Sequence, residues 1–455
     1  MTYYIPENIN VDSLIAKLPK GRRWKRKHLI QILHLISEIP LINRTAHSKG
    51  YTHLNAKVLQ QQVRNYKPIL TMLLNEGILE RDKFYIPGTK SYGYRFSAEY
   101  RYNLVAVHRE TVVDSDRRLS DECTHLTKWF DEKLTIDGGL AQQELFFHSL
   151  NDKEAGLPIS TLALQISKFA NQDFYFHRDS FGNRLHTSLL FKKSFRNFLR
   201  YSNSKLVSTD IVCSQPFMSL LLFQMDFYLN TDSPFSLYKL SPEDFQDLNS
   251  QSSKSINSII PFSPYMVGVL KDLIVKDDVQ RYKELVTKGL LYDEISKHFR
   301  SGNRNASKNT MFSVMYSSNR FYNHDKALPK RIFKSLFPSV YEIFSIFKSK
   351  KKNGLARVLQ RIESELILST ATRRIASEKP DMCIFTIHDC VATTIGNESY
   401  VDQVLKEECE KIFGLQPKTK IETWTSEYKF SDEISKFDEQ PCFDSQHWAT
   451  SIYEE

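Results

Sequence analysis

The chain has 455 residues, of which 41% are hydrophobic and 25% charged, a composition typical of a globular protein with a core large enough for roughly two to four domains. The net charge of +9 favours a polyanionic partner. No apolar run is long enough to span a bilayer, the first residues do not form a signal peptide, and the six Cys lack C-x-x-C spacing. We therefore expect a cytoplasmic protein without a membrane span or a structural zinc site.

A basic run with one aromatic residue inside it lies near the start of the chain, at residues 21–27. Its cations are Arg22, Arg23, Lys25, Arg26 and Lys27. Such a run is either a solvated arm or an arm that contacts phosphates, and the sequence leaves both interpretations open.

The next segment reads as helices followed by a hairpin. Apolar residues recur at helical spacing, and the predicted helices cover residues 28–39, 54–59 and 66–79, with Gly77 as a stop. Strands over 84–86 and 92–96 bracket a Pro-Gly turn. This order predicts a winged-helix-like domain over roughly residues 25–98, which would bind duplex DNA or serve as a protein-contact module.

A mostly helical, polar segment is predicted over residues 105–180. The stretch Gly182-Asn183-Arg184-Leu185-His186-Thr187 follows it. A β-branched run then ends at Asp210, and an apolar helix begins after Cys213-Ser214-Gln215. This pattern places Asp210 at the carboxyl end of a strand, where sheet proteins expose functional groups.

The stretch from Arg304 to Tyr316 carries charged and aromatic residues four positions apart. Arg304, Lys308, Phe312 and Tyr316 would share one face of a helix. Cations suit phosphates, and aromatic rings suit the flat face of a base. Taken alone, the pattern also fits an ordinary amphipathic helix.

The last third of the chain alternates helices with short strands. The lysine-rich run at residues 348–352 predicts an exposed basic loop, and residues 355–375 predict a long helix containing Gln360. Residues 383–394 predict a hairpin with His388-Asp389 at its tip. A helix over 398–413 and a strand over 418–424 close the pattern.

The spacing R-x-x-x-K-x-x-x-F-x-x-x-Y in the Arg304–Tyr316 stretch, preceded by Asp210 and followed by His388-Asp389, resembles the motifs of family A DNA polymerases and single-subunit RNA polymerases. The resemblance spans roughly residues 180–430. Three departures occur: His186 stands where the family has Ser, Ser214-Gln215 lies two positions late, and Cys390 replaces the Glu that usually follows His-Asp.

The resemblance implies an α/β (α+β) right-hand polymerase fold. Together with the helix and hairpin pattern of the N-terminal segment, it divides the chain into a basic arm with a winged-helix-like domain (1–104), a helical thumb (105–180), a first palm part (181–234), fingers (235–335) and a second palm part with the C-terminal tail (336–455). We expect no proofreading exonuclease, because the chain ahead of Arg184 is too short to hold one as well. Such an enzyme would suit a phage, a plasmid or another mobile element.

The resemblance also implies the roles of individual residues. Asp210, Asp389 and the Ile211 carbonyl would hold two Mg²⁺ ions, with Mn²⁺ as a substitute. Lys308 and Arg304 would neutralise the charge of the incoming triphosphate. Phe312 and Tyr316 would stack near the incoming base pair. The DNA template–primer would be contacted by the residues Arg184, Gln360, His388 and Tyr316, with the basic run of residues 22–27.

The choice of sugar is predicted from Gln215. By resemblance this position lies beside the incoming sugar, is a bulky Glu in the DNA enzymes and is Gly in the RNA enzymes. Gln215 and the aromatic Phe312 both favour dNTPs. The alternatives are a primase-like or RNA-synthesising polymerase, and a DNA-binding replication initiator whose polymerase scaffold is not catalytic. The type of template, the need for a primer and the oligomeric state stay open.

Overall fold

The computed structural model of the protein describes most of the chain, in residues 2–20, 23–43, 46–83, 85–86, 90–109, 123–151, 156–190, 192–240, 264–299, 304–320, 322–324, 327–349 and 351–425. Side chains are described in these ranges except at residues 108–109, 151, 264 and 304–306. The prediction for Arg22 therefore lies outside the described residues, and only the backbone of Arg304 is described.

The fold is mixed α/β. In the described residues the strands, numbered in chain order, are β1 Thr2–Pro6, β2 His47–Ser48, β3 Tyr51–His53, β4 Leu79–Arg81, β5 Gly93–Phe96, β6 Leu104–Arg109, β7 Leu134–Ile136, β8 Phe176–Arg178, β9 Leu185–Thr187, β10 Leu199–Tyr201, β11 Ser204–Ile211, β12 Phe385–Ile387, β13 Cys390–Thr394 and β14 Thr419–Thr423.

The α-helices of the same residues are α1 Val11–Ala16, α2 Arg26–Ile42, α3 Ala56–Gln62, α4 Tyr66–Asn75, α5 Thr124–Thr127, α6 Gly138–Asn151, α7 Ile159–Ala170, α8 Lys193–Arg196, α9 Ser214–Met218, α10 Asp226–Leu229, α11 Leu237–Leu240, α12 Pro264–Ile274, α13 Asp277–Thr287, α14 Leu291–Ser296, α15 Arg304–Tyr316, α16 Leu328–Leu336, α17 Pro338–Phe347, α18 Gly354–Ser364, α19 Thr372–Glu378 and α20 Glu398–Phe413. A π-helical segment, Glu365–Ala371, joins α18 to α19. In the described part of the chain, no helix is both long and apolar enough to cross a membrane.

A six-stranded antiparallel sheet forms the centre of the molecule. Its order is β12-β13-β11-β10-β7, and β14 pairs with β11 as well. The buried side chains Leu206 and Val207 of β11 anchor the strand in the core, while Ser208 and Thr209 are buried polar residues. Strand β11 is therefore the central strand on which both halves of the sheet depend, as the β-branched run before Asp210 predicts.

The C-terminal part of the sheet follows the predicted order closely. The hairpin β12–β13, the helix α20 and the strand β14 occur where the sequence predicts them. Gly414 ends α20 in the left-handed region, at φ 70°, where glycine has no steric penalty.

The N-terminal region forms a separate four-stranded sheet, of order β2-β3-β5-β4, packed with α2, α3 and α4. The first strand of the predicted hairpin is displaced: the sequence placed it over 84–86, whereas β4 covers Leu79–Arg81 and pairs with β5. The reason is burial. Leu79 and Phe96 face each other in the core, whereas Tyr85 and Ile86 are more than half exposed.

The segment predicted to be mostly helical over residues 105–180 contains strands as well. Residues Leu104–Arg109 form β6 and pair with β1, and β7 pairs with β10 in the central sheet. These pairings are long-range, so the local pattern did not show them. They tie the first residues of the chain and the segment near residue 135 to the same hydrophobic cluster, which contains Tyr4 and Leu134.

Candidate active site

Two aspartates meet at one end of the central sheet. Asp210 is in β11 and pairs with Cys390, the first residue of β13. Asp389 immediately precedes Cys390, in the tight turn between β12 and β13, where His388 adopts a positive φ of 57°. The two carboxylates that the sequence singled out, 179 positions apart in the chain, are thus brought together by strand pairing.

The two carboxyl groups lie in an environment that disfavours their negative charge. Burial raises the pKa of Asp210, and the neighbouring charge of Asp389 raises it further. Burial also raises the pKa of Asp389, although a hydrogen bond from Ser214 and the charges of Arg184 and Arg196 act against it. A divalent cation would relieve this repulsion, because it favours the ionised form of both groups.

Hydrogen bonds orient the carboxylate of Asp210. The Ser208 hydroxyl donates to Asp210 Oδ2 at 3.2 Å, and the Trp424 indole N–H donates to the Ser208 hydroxyl at 3.2 Å. Burial and the adjacent carboxylates raise the pKa of Cys390 well above its usual value, so this side chain remains a neutral thiol beside Asp210. Cys390 therefore adds no negative charge at the position where the resemblance expected Glu.

The donor set fits hard divalent cations. Carboxylate oxygens are the ligands that Mg²⁺ prefers, and Mg²⁺ keeps several waters, so two carboxylates and a backbone carbonyl are a usual protein contribution. Ile211 ends β11 directly after Asp210 and pairs with Thr419 of β14. Among the described residues, no group of three or more His, Cys, Asp or Glu side chains forms a metal cluster, so a site here depends on the two aspartates.

A buried hydrogen-bonded chain runs beside the aspartates. Arg184 donates its Nε to Glu363 Oε1 at 2.7 Å, and its Nη2 lies 2.7 Å from the same oxygen. The Gln215 amide donates to the other oxygen, Glu363 Oε2. The Tyr316 hydroxyl in turn donates to Gln215 Oε1 at 3.1 Å. Residues predicted for three separate motifs, Arg184, Gln215 and Tyr316, are therefore joined through Glu363.

The loop that carries Arg184 is held by hydrogen bonds to Asp179 and by packing against α18. The Asp179 carboxylate accepts hydrogen bonds from the backbone N–H groups of Gly182 and Arg184, at 2.6 and 3.1 Å. A Cβ at Gly182 would lie 2.5 Å from Gln360 Oε1, so only glycine fits this contact. Gln360, predicted to touch nucleic acid, therefore packs against the Arg184 loop.

A histidine pair flanks the loop and the hairpin tip. His186 Nε2 lies 2.9 Å from Asp179 Oδ2. The ring centroids of His186 and His388 lie 5.6 Å apart in an edge-to-face arrangement. Although burial opposes it, hydrogen bonds from His186 and Gly182 lower the pKa of Asp179 to about 2. His186, which departs from the family pattern, thus connects the Arg184 loop to the turn before Asp389.

The α15 helix has the bounds that the sequence predicts, Arg304–Tyr316. Lys308 is exposed, and the rings of Phe312 and Tyr316 stack with centroids 5.6 Å apart and an interplanar angle of 29°. The opposite face is in the core, where Met311 and Val314 are buried. Of the predicted stripe, Lys308 is therefore exposed and Phe312 half-buried, whereas the last residue, Tyr316, reaches Gln215.

The prediction of an exposed loop at residues 348–352 is wrong for its first residue, Lys348. Lys348 is 3% exposed, and its ammonium group donates to the carbonyl oxygens of Val314 and Ser317, at 2.6 and 3.4 Å. Lys330 is also buried and donates to the Ser318 carbonyl. The reason is that the Val314 carbonyl, in the last turn of α15, lacks a helical partner, and the Lys348 side chain supplies a donor to it and to the Ser317 carbonyl just after the helix.

The basic run near the start of the chain belongs to the N-terminal region. Arg23, Lys25, Arg26 and Lys27 are exposed around the first turn of α2, and Arg26 pairs with Asp12. The aspartates belong to the central sheet instead. The predicted basic arm and the candidate active site therefore belong to different parts of the fold.

The sequence analysis did not assign two residues, Glu363 and Arg196, to the candidate site. Glu363 shares the apolar face of α18 with Leu359 and Ile362, so the helical period alone marks it as a charge on a buried face. Arg196 gave no such signal, because its interaction with the charges of Asp210 and Asp389 joins segments that are distant in sequence.

The chain matches no protein-family profile, and no curated protein matches its sequence. Among solved structures it is similar to the POL domain of Pol1 from M. smegmatis, in complex with DNA primer-template and dNTP. This similarity has a TM-score of 0.36 and a sequence identity of 9%, and it covers 66% of this chain and 69% of that chain. A likeness at this level assigns no function, so the proposal below rests on the site itself.

Proposed function

We propose that the protein is a template-directed nucleotidyltransferase, namely a DNA polymerase of the family A type. The observation that carries the proposal is the meeting of Asp210 and Asp389 at the end of β11. Beside them, Tyr316 of α15 contacts Gln215, which brings a helix with an exposed cation and stacked rings to the same place. Carboxylates for metal, a cation for phosphate and aromatic rings for a base are what nucleotidyl transfer requires.

Each group has a distinct part in this mechanism. Asp210 and Asp389, with the Ile211 carbonyl, would hold two Mg²⁺ ions, or Mn²⁺ in their place, and these ions would supply Lewis-acid activation and charge neutralisation. Lys308 and Arg304 would bind the triphosphate. Phe312 would stack near the base of the incoming nucleotide.

Other residues would contact the template–primer and the sugar. Arg184 would reach the primer terminus, supported by Gln360 and with His388 beside the hairpin turn. Gln215 would lie beside the sugar of the nucleotide, and its bulk would exclude a ribose 2′-OH. Its fixed position between Glu363 and Tyr316 supports this role, because a gate must be rigid to discriminate.

The domain division follows from this function. Residues 181–234 and 336–455 would be the palm, which includes every strand of the central sheet except β7, a strand of the 105–180 segment. Residues 235–335 with α15 would be the fingers. Residues 105–180 would form the thumb, and residues 1–104 the winged-helix-like region. The four-stranded sheet β2-β3-β5-β4 with three helices supports a winged helix, which would bind duplex DNA through its exposed cations.

Primer extension with Mg²⁺ tests the proposal directly. DNA and RNA templates are crossed with dNTPs and NTPs, with and without a primer. Extension of a DNA primer on a DNA template with dNTPs is the expected result. Synthesis from NTPs alone would favour the primase-like or RNA-synthesising alternative. Duplex binding without any synthesis would favour an initiator that uses the fold as a scaffold.

A further inference from the structure

Glu363 is the most deeply buried acid of the candidate site, with 1% of its surface exposed. Its two oxygens have different partners, since Oε1 accepts from Arg184 and Oε2 accepts from Gln215. Burial raises the pKa of Glu363 to about 7, although the charge of Arg184 opposes this effect. A buried acid is costly, so a carboxylate here requires donors on both oxygens.

The contact with Gln215 settles which way that side chain points. A glutamine amide has a donor end and an acceptor end, and either end can face a neighbour. The charge of Arg184 favours the ionised form of Glu363, and an ionised carboxylate accepts only, so this form draws the Gln215 NH₂ group toward itself. The Gln215 carbonyl oxygen is thereby directed to Tyr316, whose hydroxyl donates to it at 3.1 Å.

We propose that Glu363 is a positioning residue that fixes Gln215 against Tyr316 while holding Arg184, so that one buried carboxylate governs both sugar selection and the contact with the primer terminus. This inference rests on the proposed polymerase function. Glu363 itself, at 1% exposure, would touch neither substrate. It acts by orienting two side chains from segments that are otherwise far apart in sequence, at residues 184 and 215.

Glu363→Gln gives the first test. Because Arg184 donates to one end of this side chain, the new amide should keep its oxygen there and turn its NH₂ group to the donor end of Gln215, so the Gln215 side chain should flip or withdraw. The selectivity for dNTPs over NTPs, measured as the ratio of kcat/KM values in primer extension, should fall roughly tenfold, as for loss of one charge-assisted hydrogen bond. Glu365→Gln, two residues further on and partly exposed, is the matched control and should leave the ratio unchanged.

The Gln215→Gly background separates positioning from a general structural role. Once the Gln215 side chain is absent, Glu363 still holds Arg184 but has no sugar gate to orient, so adding Glu363→Gln should cause no further loss of sugar selectivity. A general loss of packing would instead lower kcat/KM for both sugars equally in both backgrounds. If Glu363→Gln fails to fold, Glu363→Asp keeps the charge but shortens the side chain by one methylene, so it cannot hold Arg184 and Gln215 in the same positions, and it should show the same loss of selectivity.

The outcomes distinguish this inference from the function on which it rests. Active wild-type protein, with unchanged sugar selectivity in folded Glu363→Gln or Glu363→Asp, would overturn the inference alone. Wild-type protein that makes no polymer from any combination of template and nucleotide would overturn the proposed function and the inference with it. A selectivity change in the single variant that vanishes in the Gln215→Gly background would support both.

Discussion

Asp210 lies directly opposite Cys390 in the pairing of β11 with β13. Because Cys390 begins its strand, the residue before it, Asp389, lies in the turn at the same end of the sheet. A shift of one residue in this register would turn the side chain of Asp210 to the other face of the sheet and separate the two carboxylates. The site therefore depends on register as much as on the identity of its residues.

Asp389→Asn and Asp210→Asn should each abolish synthesis and at the same time raise the melting temperature. Loss of a metal-binding carboxylate costs several kcal/mol of transition-state stabilisation, a decrease in rate of roughly a thousandfold or more. The folded-state pKa of each carboxyl is raised, so its ionised form destabilises the fold above the unfolded pKa, and a neutral amide removes that cost.

Primer extension and thermal unfolding at neutral pH without added metal measure the two effects. The control is Asp381→Asn, an exposed aspartate ahead of the same hairpin, which should change neither. Near wild-type extension by both site variants would exclude a catalytic role for this pair.

Gln215→Gly should admit NTPs more readily. In the proposed function, removal of the amide would open the space beside the sugar. A lost polar contact or clash of this kind typically corresponds to about 1–3 kcal/mol, so tenfold or more of the dNTP preference should disappear. Tyr316→Phe removes only the hydroxyl that donates to Gln215 and should shift the same ratio in the same direction. Competition between dNTP and NTP at one template position measures this preference for dNTPs. A wild-type enzyme that already prefers NTPs would contradict the assignment.

Lys348 should make stability depend on pH in the alkaline range. Burial lowers the pKa of Lys348 from 10.5 to about 7. Between these values the unfolded chain binds a proton that the folded chain does not, so the free energy of unfolding should rise with pH from about 7 to 10.5 relative to Lys348→Met. The rise should be about 3–5 kcal/mol.

Denaturant unfolding at several pH values measures the difference between wild type and Lys348→Met. Lys352→Met, at an exposed position of the same lysine run, is the matched control. Parallel pH profiles for wild type and Lys348→Met would show that Lys348 titrates as an ordinary lysine.

Exposed cations at the start of α2 should contribute to binding of duplex DNA. Arg23→Ala and Lys25→Ala should each weaken affinity and reduce the slope of log K against log salt by roughly one unit. Fluorescence anisotropy with a labelled duplex measures this slope. The full chain is required, because Tyr3 and Ile5 of β1 belong to the same core as α2. Lys17→Ala is the control, since Lys17 is paired with Glu76, and an equal effect there would argue for non-specific attraction.

The local pattern of the sequence was sufficient to predict the helix and the hairpin that carry the candidate site. The four-residue spacing predicted α15 with its observed bounds, and the apolar run before His388-Asp389 predicted the hairpin. These features are readable because helical and strand periods act over a few neighbouring residues. The lysine at 348 was misread for the same reason, since its partners, Val314 and Ser317, are more than 30 positions away.

The sequence by itself determined the candidate chemistry: two aspartates at strand ends, and a helix with cations and aromatic residues on one stripe. Only the tertiary structure decided which side chains meet. Strand pairing joined Asp210 to the turn of Asp389, and the packing of α18 placed Glu363 between Arg184 and Gln215. Residue type is a local property, whereas the partner of a buried charge is set by elements that fold together from distant parts of the chain.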